Sequence, residues 1–238
     1  MRVPRLYLPG AMRVGEQLTL PDASAHYLAR VLRLAAGAEV VLFNGDGHDY
    51  RCRLESAGKG TVAVLEQREN RADSALRITL SQALSRGDRM DYCLQKATEL
   101  GVHAVQLLLS ERVELKLSGS RLEKRMAHWR GVMQSASEQC GRATVPELLS
   151  PIRLEAWLSA GGTRLVLDAD ARTPLSAVGV SDTVDIAVGP EGGFSDAERS
   201  TMQAAGVQAV RLGPRVLRTE TAGPAAIAVL QSMAGDFK

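Results

Sequence analysis

The sequence predicts an α/β protein in which a small β-rich domain, residues 1–72, precedes a larger domain, residues 73–238, with a mainly parallel sheet. Two observations support this division. Strand patterns crowd the first 72 residues, whereas short apolar runs alternate with helical segments in the rest of the chain. A polar stretch at 66–74 separates the two patterns, and this places the domain boundary near residue 72.

The N-terminal domain is predicted to be a small barrel with one helix, a type of fold that often binds RNA. Asn44-Gly45-Asp46-Gly47 is a strong turn signal, so the apolar segments on either side are predicted to form a hairpin. Asp22 is placed to cap a helix that continues to about residue 34. The predicted strands are 5–8, 17–20, 39–43, 50–55 and 61–65.

The C-terminal domain is predicted to be a parallel sheet covered by helices, because buried parallel strands have near-continuous apolar sequences. Ser195-Asp-Ala-Glu198 is a capping box that marks where one helix begins. The predicted strands are 78–84, 105–109, 164–167, 184–188 and 207–212, and the predicted helices are 88–100, 122–139, 196–205 and 219–233.

The amino-acid composition limits the classes of protein to which the chain can belong. The 238 residues are 45% hydrophobic and 24% charged, which is typical of a globular chain. Cys52, Cys93 and Cys140 are far apart in sequence, so neither a disulfide framework nor a zinc ribbon is expected, and a reducing cytoplasm fits. The first ten residues show no signal-peptide core, and no stretch predicts a membrane span. We therefore expect a soluble cytoplasmic protein.

The net charge is only +2, so charge alone does not indicate nucleic-acid binding. However, 24 of the 29 basic residues are arginine, whose planar guanidinium suits phosphates and base edges. An arginine-rich composition inherited from a GC-rich genome explains the bias equally well. Any single arginine could also be an ordinary surface or salt-bridged residue. The RNA-binding candidates are Arg5, Arg30, Arg33, Arg86, Arg112, Arg142 and Arg215.

Two predicted strands end in loops rich in glycine and proline. The strand at 184–188 is followed by Gly189-Pro190-Glu191-Gly192-Gly193, and the strand at 207–212 by the segment 213–222, GPRVLRTETA. Ligands of open α/β sheets bind at such strand ends, and glycine lets the backbone approach a ligand closely. Neither loop matches a Walker loop or the GxGxxG fingerprint. A pair of tight turns with helix caps is the alternative.

These loops carry a resemblance to a known family. GPEGG followed by FSxxE, and then LGPRVLRTETA, closely resemble the bacterial ribosomal RNA uridine-N3 methyltransferases, the RsmE-type members of the SPOUT superfamily. The resemblance extends along nearly the whole chain in the correct order. The further matching segments are Arg30-Val-Leu-Arg33, Ser85-Arg-Gly87, 95–101, Ser110-Glu-Arg112 and 138–142 followed by Pro146.

The resemblance implies a trefoil-knotted C-terminal methyltransferase domain and a PUA-like N-terminal barrel. It also implies S-adenosylmethionine as cofactor, 16S ribosomal RNA of the small subunit as partner, and a homodimer with the active site beside the interface. Asp168-Ala-Asp170 matches no clear family pattern. The implied cofactor-binding residues are Leu167, Gly189, Pro190, Glu191, Gly192, Gly193, Leu212, Gly213, Leu217, Thr219, Thr221 and Ala222.

Methylation at N3 of uracil displaces a proton, so a base or an anion-stabilising cation should lie near the cofactor. Glu220 is the candidate base, and Arg218 is the candidate that stabilises the uracil anion; both are predicted catalytic residues. Alternatively, Glu220 only complements the dipole of the last helix, or Glu191 is the relevant carboxylate. Attack through N3 needs no covalent intermediate, so Cys140 is not expected to act as a nucleophile.

No metal is expected, because the four histidines form no ligand-spaced cluster. Two other functions remain open at this point. One is a related methyltransferase that acts on another RNA or atom, such as the ribose 2′-O of transfer RNA. The other is a non-catalytic RNA-binding or ribosome-assembly module, against which the intact glycine-rich loops beside Arg218 and Glu220 argue.

Overall fold

The structure is a computed structural model that describes residues 3–113, 118–159 and 161–237. It divides into two compact units. The N-terminal unit consists of the described part of Met1–Asp73 together with Ser137–Val145, and the C-terminal unit consists of the remaining described residues. The second segment of the N-terminal unit was not anticipated from the sequence. Within the described ranges, every helix is too short or too polar to cross a bilayer.

The N-terminal unit contains an open five-stranded sheet in the order β1-β3-β4-β5-β2. β3 and β4 pair antiparallel around the Asn44–Gly47 turn, which confirms the predicted hairpin. Alternate residues of β4, including Tyr50, Cys52 and Leu54, are buried in the core of this unit. The strands are β1 (Arg5–Tyr7), β2 (Gln17–Thr19), β3 (Glu39–Phe43), β4 (His48–Ser56) and β5 (Thr61–Glu69).

The helix predicted for 22–34 is shorter and changes type. Helix α1 (Asp22–His26) continues as a π-helical turn, Tyr27–Val31, in which the Leu32 amide donates to the Tyr27 carbonyl five residues earlier. Arg33 then adopts a positive φ of 54°, which ends the helix. Single-turn π segments are frequent at functional sites, but no sequence periodicity reveals them.

Segment 137–145 is fixed in the N-terminal unit by hydrogen bonds. The Tyr7 amide donates to Glu138 Oε1 at 3.0 Å, and Asn70 Nδ2 donates to the Gly141 carbonyl at 3.0 Å. Arg142 is 5% exposed and donates through Nε to Asp73 Oδ1 at 2.7 Å. The unit therefore combines two stretches that are distant in sequence.

The C-terminal unit is built on a six-stranded, wholly parallel sheet in the order β11-β9-β10-β6-β7-β8. β8 was not predicted, because Pro151 interrupts its apolar pattern; its position at the sheet edge tolerates the missing amide. The strands are β6 (Arg77–Ala83), β7 (Ala104–Leu109), β8 (Glu147–Arg153), β9 (Arg164–Leu167), β10 (Thr183–Val188) and β11 (Gln208–Val210).

Helices pack on this sheet as the alternating pattern predicted. The Ser195–Glu198 capping box is present at the start of α5. Helices α2 and α6 pack against each other, while Trp157 and Met202 belong to a cluster that also buries Val166 and Ala187 of the sheet. The helices are α2 (Asp88–Glu99), α3 (Gly119–Cys140), α4 (Leu154–Leu158), α5 (Asp196–Ala204) and α6 (Thr219–Ala234), with a 3-10 turn at Leu175–Ala177.

Candidate active site

A cavity of about 530 Å³ opens where three neighbouring strands of the C-terminal sheet end. Because β9, β10 and β11 are parallel neighbours, their carboxyl ends meet at one edge, where open α/β sheets bind ligands. Val166, Val188 and Val210 give the cavity an apolar floor at these ends. The volume lies in the range of small-molecule and cofactor sites.

The glycine-rich loop after β10, Gly189–Gly193, forms one wall. Three side chains from separate parts of the unit fix it: Arg89 Nη1 donates to Glu191 Oε1 at 2.6 Å, Arg112 Nη1 to the Gly192 carbonyl at 2.6 Å, and Thr219 Oγ1 to the Gly189 carbonyl at 2.8 Å. A Cβ on Gly189 would lie 3.2 Å from the Phe194 amide nitrogen, so the tight fold of the loop leaves little room for a side chain there. Three hydrogen bonds from outside the loop therefore hold this wall in place.

Glu191 ties its own loop to the start of α2. Burial alone would raise the pKa of Glu191, but hydrogen bonds from its own amide, the Arg89 guanidinium and the Arg86 amide outweigh this effect and lower the pKa below its ordinary value. Glu191 is therefore a bound carboxylate anion. This arrangement favours the structural role for Glu191 over a role as base.

The loop after β11 and the first turn of α6 form a second wall. Arg218 immediately precedes α6, lines the cavity and is exposed, and Glu220 lies in the first turn of the helix. Glu220 Oε2 is buried and has no hydrogen-bond partner among the described residues. Burial, with a smaller contribution from the Glu220 charge, raises the pKa of the Cys93 thiol to about 12. Cys93 is thus a neutral thiol at physiological pH, and the described cavity lining contains no cysteine.

The structure brings most of the predicted site residues to this cavity. Gly192, Gly213 and Thr221 lie in the same loops or helix turn but do not line it. Cys140 belongs to the N-terminal unit, where its thiol donates to the Ser137 carbonyl. The predicted residues that line the cavity are Leu167, Gly189, Pro190, Glu191, Gly193, Leu212, Arg215, Leu217, Arg218, Thr219, Glu220 and Ala222.

The seven arginines proposed for RNA are in different environments. Arg5 and Arg142 are largely buried and ion-paired inside the N-terminal unit, Arg5 with Asp49 and Arg142 with Asp73. Arg30 and Arg33 are exposed at the π-helical turn of the same unit. In the C-terminal unit, the exposed side chains are those of Arg86, Arg112 and Arg215, of which Arg112 holds the Gly192 carbonyl.

Several cavity residues were missed. Asp168 and Asp170 follow β9, and Asp168 lies 3.7 Å from Arg199. Two carboxylates directly after a buried strand are a detectable signal, because strand ends are where ligands bind. In contrast, the places of Arg89 and Arg199 depend on how helices α2 and α5 pack, which the sequence does not reveal. Other lining residues that were missed are Phe194, Arg211 and Val216.

Within the described ranges, no group of three or more histidine, cysteine, aspartate or glutamate side chains is placed to hold a metal ion. Around the cavity, Arg211, Arg215 and Arg218 form no ion pair with any described residue. The site thus combines an apolar floor, a glycine-rich wall and unpaired cations.

Comparison with known families agrees with this geometry. A family model described as an RNA methyltransferase domain matches residues 72–231, and one described as an RNA methyltransferase PUA domain matches residues 20–67. The first match covers most of the C-terminal unit and both walls of the cavity. Fold and site together define an RNA methyltransferase.

The chain belongs to the ribosomal RNA small subunit methyltransferase E family. A curated member from Buchnera aphidicola is 30% identical, with 99% of this chain and 98% of that protein aligned. A member from Synechocystis is 33% identical over 96% of this chain and 77% of its own length. The α/β fold, with an N-terminal PUA-like half-barrel sheet and a C-terminal parallel sheet, is the fold of this family.

Two solved structures cover the whole chain and are covered by it completely. The family member from Neisseria gonorrhoeae is 38% identical with a TM-score of 0.93, and a methyltransferase from Legionella pneumophila is 36% identical with a TM-score of 0.92. Both structures were solved with bound S-adenosylmethionine.

Proposed function

We propose that this chain transfers a methyl group from S-adenosylmethionine to N3 of a uridine in 16S ribosomal RNA. One observation supports the proposal above the others: the two loops that resemble the family most closely line the same cavity, and Arg218 and Glu220 line it as well. Full-length similarity to small-subunit methyltransferases, two of whose structural relatives hold this cofactor, supports the substrate and the cofactor.

The residues of the cavity fit S-adenosylmethionine. The valines at the strand ends provide apolar surface for the adenine, and the tightly folded Gly189–Gly193 backbone allows close approach. Asp168 and Arg211 offer opposite charges for a zwitterionic amino-acid group. When bound, S-adenosylmethionine supplies an electrophilic methyl group on its sulfonium sulfur.

The catalytic roles follow from the two walls. The Glu220 carboxylate accepts the N3 proton of uracil, and Glu220 is one of the residues that line the cavity. The N3 lone pair would then form the new bond to the methyl carbon while the bond from that carbon to the sulfonium sulfur breaks, so that a neutral thioether leaves. The Arg218 guanidinium, which has no ion-pair partner among the described residues, stabilises the negative charge that develops on the uracil oxygens.

We further propose that the protein acts as a cytoplasmic homodimer with a trefoil-knotted C-terminal domain. Val216 is 85% exposed on a loop that borders the cavity, and an apolar side chain there suits coverage by a second copy. Sedimentation at micromolar concentration should give the mass of two chains. A fully active monomer would contradict the dimeric arrangement.

The function is tested with purified protein, S-adenosylmethionine and small ribosomal subunits from a strain that lacks the gene. Mass spectrometry of digested 16S ribosomal RNA should detect N3-methyluridine at one position. Methylation of a ribose, or of transfer RNA only, would assign the chain to another reaction. Cofactor binding without methyl transfer to any RNA would favour a non-catalytic module.

A further inference from the structure

Gln82 is a buried polar side chain that lies behind the cavity rather than in it. It is in β6, is 1% exposed and does not line the cavity. Its Nε2 donates to Thr219 Oγ1 at 2.9 Å and to the Ala83 carbonyl at 3.1 Å, and its Oε1 accepts from Cys93 Sγ at 3.4 Å. Both polar atoms of its amide group are therefore bonded within the protein.

Thr219 continues this chain of hydrogen bonds. It is the first residue of α6, is 6% exposed, and its hydroxyl donates to the Gly189 carbonyl at 2.8 Å. Because the single hydroxyl proton is used on Gly189, the oxygen must accept from Gln82, which fixes the orientation of the amide. Strand β6, the start of α6 and the glycine-rich loop are thus joined in one directional chain.

The chain of hydrogen bonds passes through the residue that lies between the two predicted catalytic side chains. Arg218 and Glu220 flank Thr219 directly, so a shift of the Thr219 backbone moves both. Gly223 brings this helix unusually close to β6, since a Cβ there would lie 3.1 Å from Leu80 Cδ2 and 3.2 Å from Gln82 Oε1. One end of α6 is therefore held by both packing and hydrogen bonding.

We propose that Gln82 and Thr219 are positioning residues that hold the two walls of the cavity at a fixed separation. The inference rests on the proposed function, because its consequence is cofactor affinity and methyl transfer. The Thr219 hydroxyl then acts within the protein rather than on the ligand. A fully satisfied buried network of this kind rigidifies its surroundings, and a partly satisfied one does not.

The test compares Gln82→Met and Thr219→Val with two controls. Thr219→Ser keeps the hydroxyl. Gln106→Met removes a matched buried glutamine in β7 that donates to the Leu107 and Ser150 carbonyls and does not line the cavity. Calorimetry measures S-adenosylmethionine affinity, methyl-transfer assays measure kcat and KM, and thermal melts measure stability.

Gln82→Met and Thr219→Val should each raise the Kd for S-adenosylmethionine and lower kcat by about tenfold, the loss typical of one buried hydrogen bond. Thr219→Ser should stay within about twofold of the wild type. Gln106→Met should lower Tm but leave Kd unchanged. The double variant should have a Kd and kcat close to those of either single variant, because both substitutions break the same series of hydrogen bonds.

Wild-type affinity and turnover in folded Thr219→Val would overturn the proposal, as would an equal loss of affinity in Gln106→Met. If Gln82→Met does not fold, the proposal is tested by comparing the cofactor affinity and turnover of Thr219→Val with those of Thr219→Ser. A wild-type protein that binds the cofactor but methylates no RNA would contradict the proposed function, while the affinities would still test the positioning role.

Discussion

Among the residues that line the cavity, Glu220 carries the most informative single atom, its Oε2 oxygen. It is buried without a hydrogen-bond partner among the described residues. Leaving such an acceptor unpaired costs about 1–3 kcal/mol, so native structures rarely do so without a reason. Because the atom is closed to solvent, a substrate N–H can reach it only after the Glu220 side chain turns toward the cavity. Under the proposed function, that rotation would give the buried acceptor a hydrogen bond to uracil.

Glu220→Gln and Arg218→Ala should each lower turnover about a hundredfold, because each would remove one of the two proposed catalytic groups, the base or the anion-stabilising cation. The affinity for S-adenosylmethionine should change much less. Higher pH should partly restore Glu220→Gln, since more uridine is then already ionised. Single-turnover methyl-transfer assays between pH 7 and pH 10 measure this recovery of activity.

Cys140→Ala is the control for that pair, because Cys140 belongs to the other unit and does not line the cavity. It should keep most of its activity. A folded but inactive Cys140→Ala, together with a fully active Glu220→Gln, would show that the chemistry lies elsewhere.

Two arginines of the N-terminal unit should respond in opposite ways. Arg142→Met leaves Asp73 without its guanidinium and should lower the free energy of unfolding by about 3 kcal/mol. Arg30→Met should leave stability unchanged, because Arg30 is exposed. It should instead weaken RNA binding and reduce the slope of log affinity against log salt by about 1. Chemical denaturation and binding titrations at several salt concentrations separate the two effects.

At the scale of secondary structure, two helical glycines form a matched pair. Gly223→Ala in α6 places a methyl group 3.1 Å from Leu80, and this overpacking should destabilise the protein by about 1–3 kcal/mol. Gly131→Ala in α3 meets no atom within 4 Å and should stabilise it by about 0.5–1 kcal/mol through helix propensity. Urea denaturation of both variants measures the difference. Equal effects would mean that α6 does not depend on close contact with β6.

The sequence predicted those elements whose signals are local. The Asn44–Gly47 residues favour a tight turn between two strands, and the Ser195–Glu198 capping box marks the first residue of a helix. Both features occur as predicted. The π-helical turn at Tyr27–Val31 was missed because it differs from an α-helix by one hydrogen-bond register.

Residues of the site were likewise predicted where a local sequence signal marks them and missed where their role depends on packing. The two glycine-rich loops were found because glycine and proline mark strand ends. Gln82 was missed because a lone glutamine within an apolar strand carries no signal; its role appears only when β6, α2 and α6 come together. Likewise, the burial of Arg5 and Arg142 depends on segment 137–145, which no local pattern assigns to the N-terminal unit.

At the scale of the whole molecule, truncation tests the division into units. A fragment of residues 74–238 removes Asp73, Asn70 and Tyr7, the partners of segment 137–145. Hydrogen exchange in that segment should accelerate relative to the full chain, while cofactor binding persists. Affinity for RNA should fall and its salt dependence should become shallower, because phosphate contacts are lost. An unchanged salt slope would show that residues 1–73 do not touch the RNA backbone.

The discontinuous N-terminal unit has a consequence for biosynthesis. When residue 73 of a nascent chain has just been synthesised, segment 137–145 has not yet been made. That segment contains Glu138 and Arg142, which hydrogen-bond to the rest of the N-terminal unit. At about 5–20 residues per second, translation from residue 74 to the end of that segment at residue 145 takes on the order of 4–14 s. During this interval Asp73 cannot yet bond to Arg142, and the Tyr7 amide cannot yet bond to Glu138. The first part of the chain to be synthesised therefore completes its native contacts only after more than half of the protein has been made.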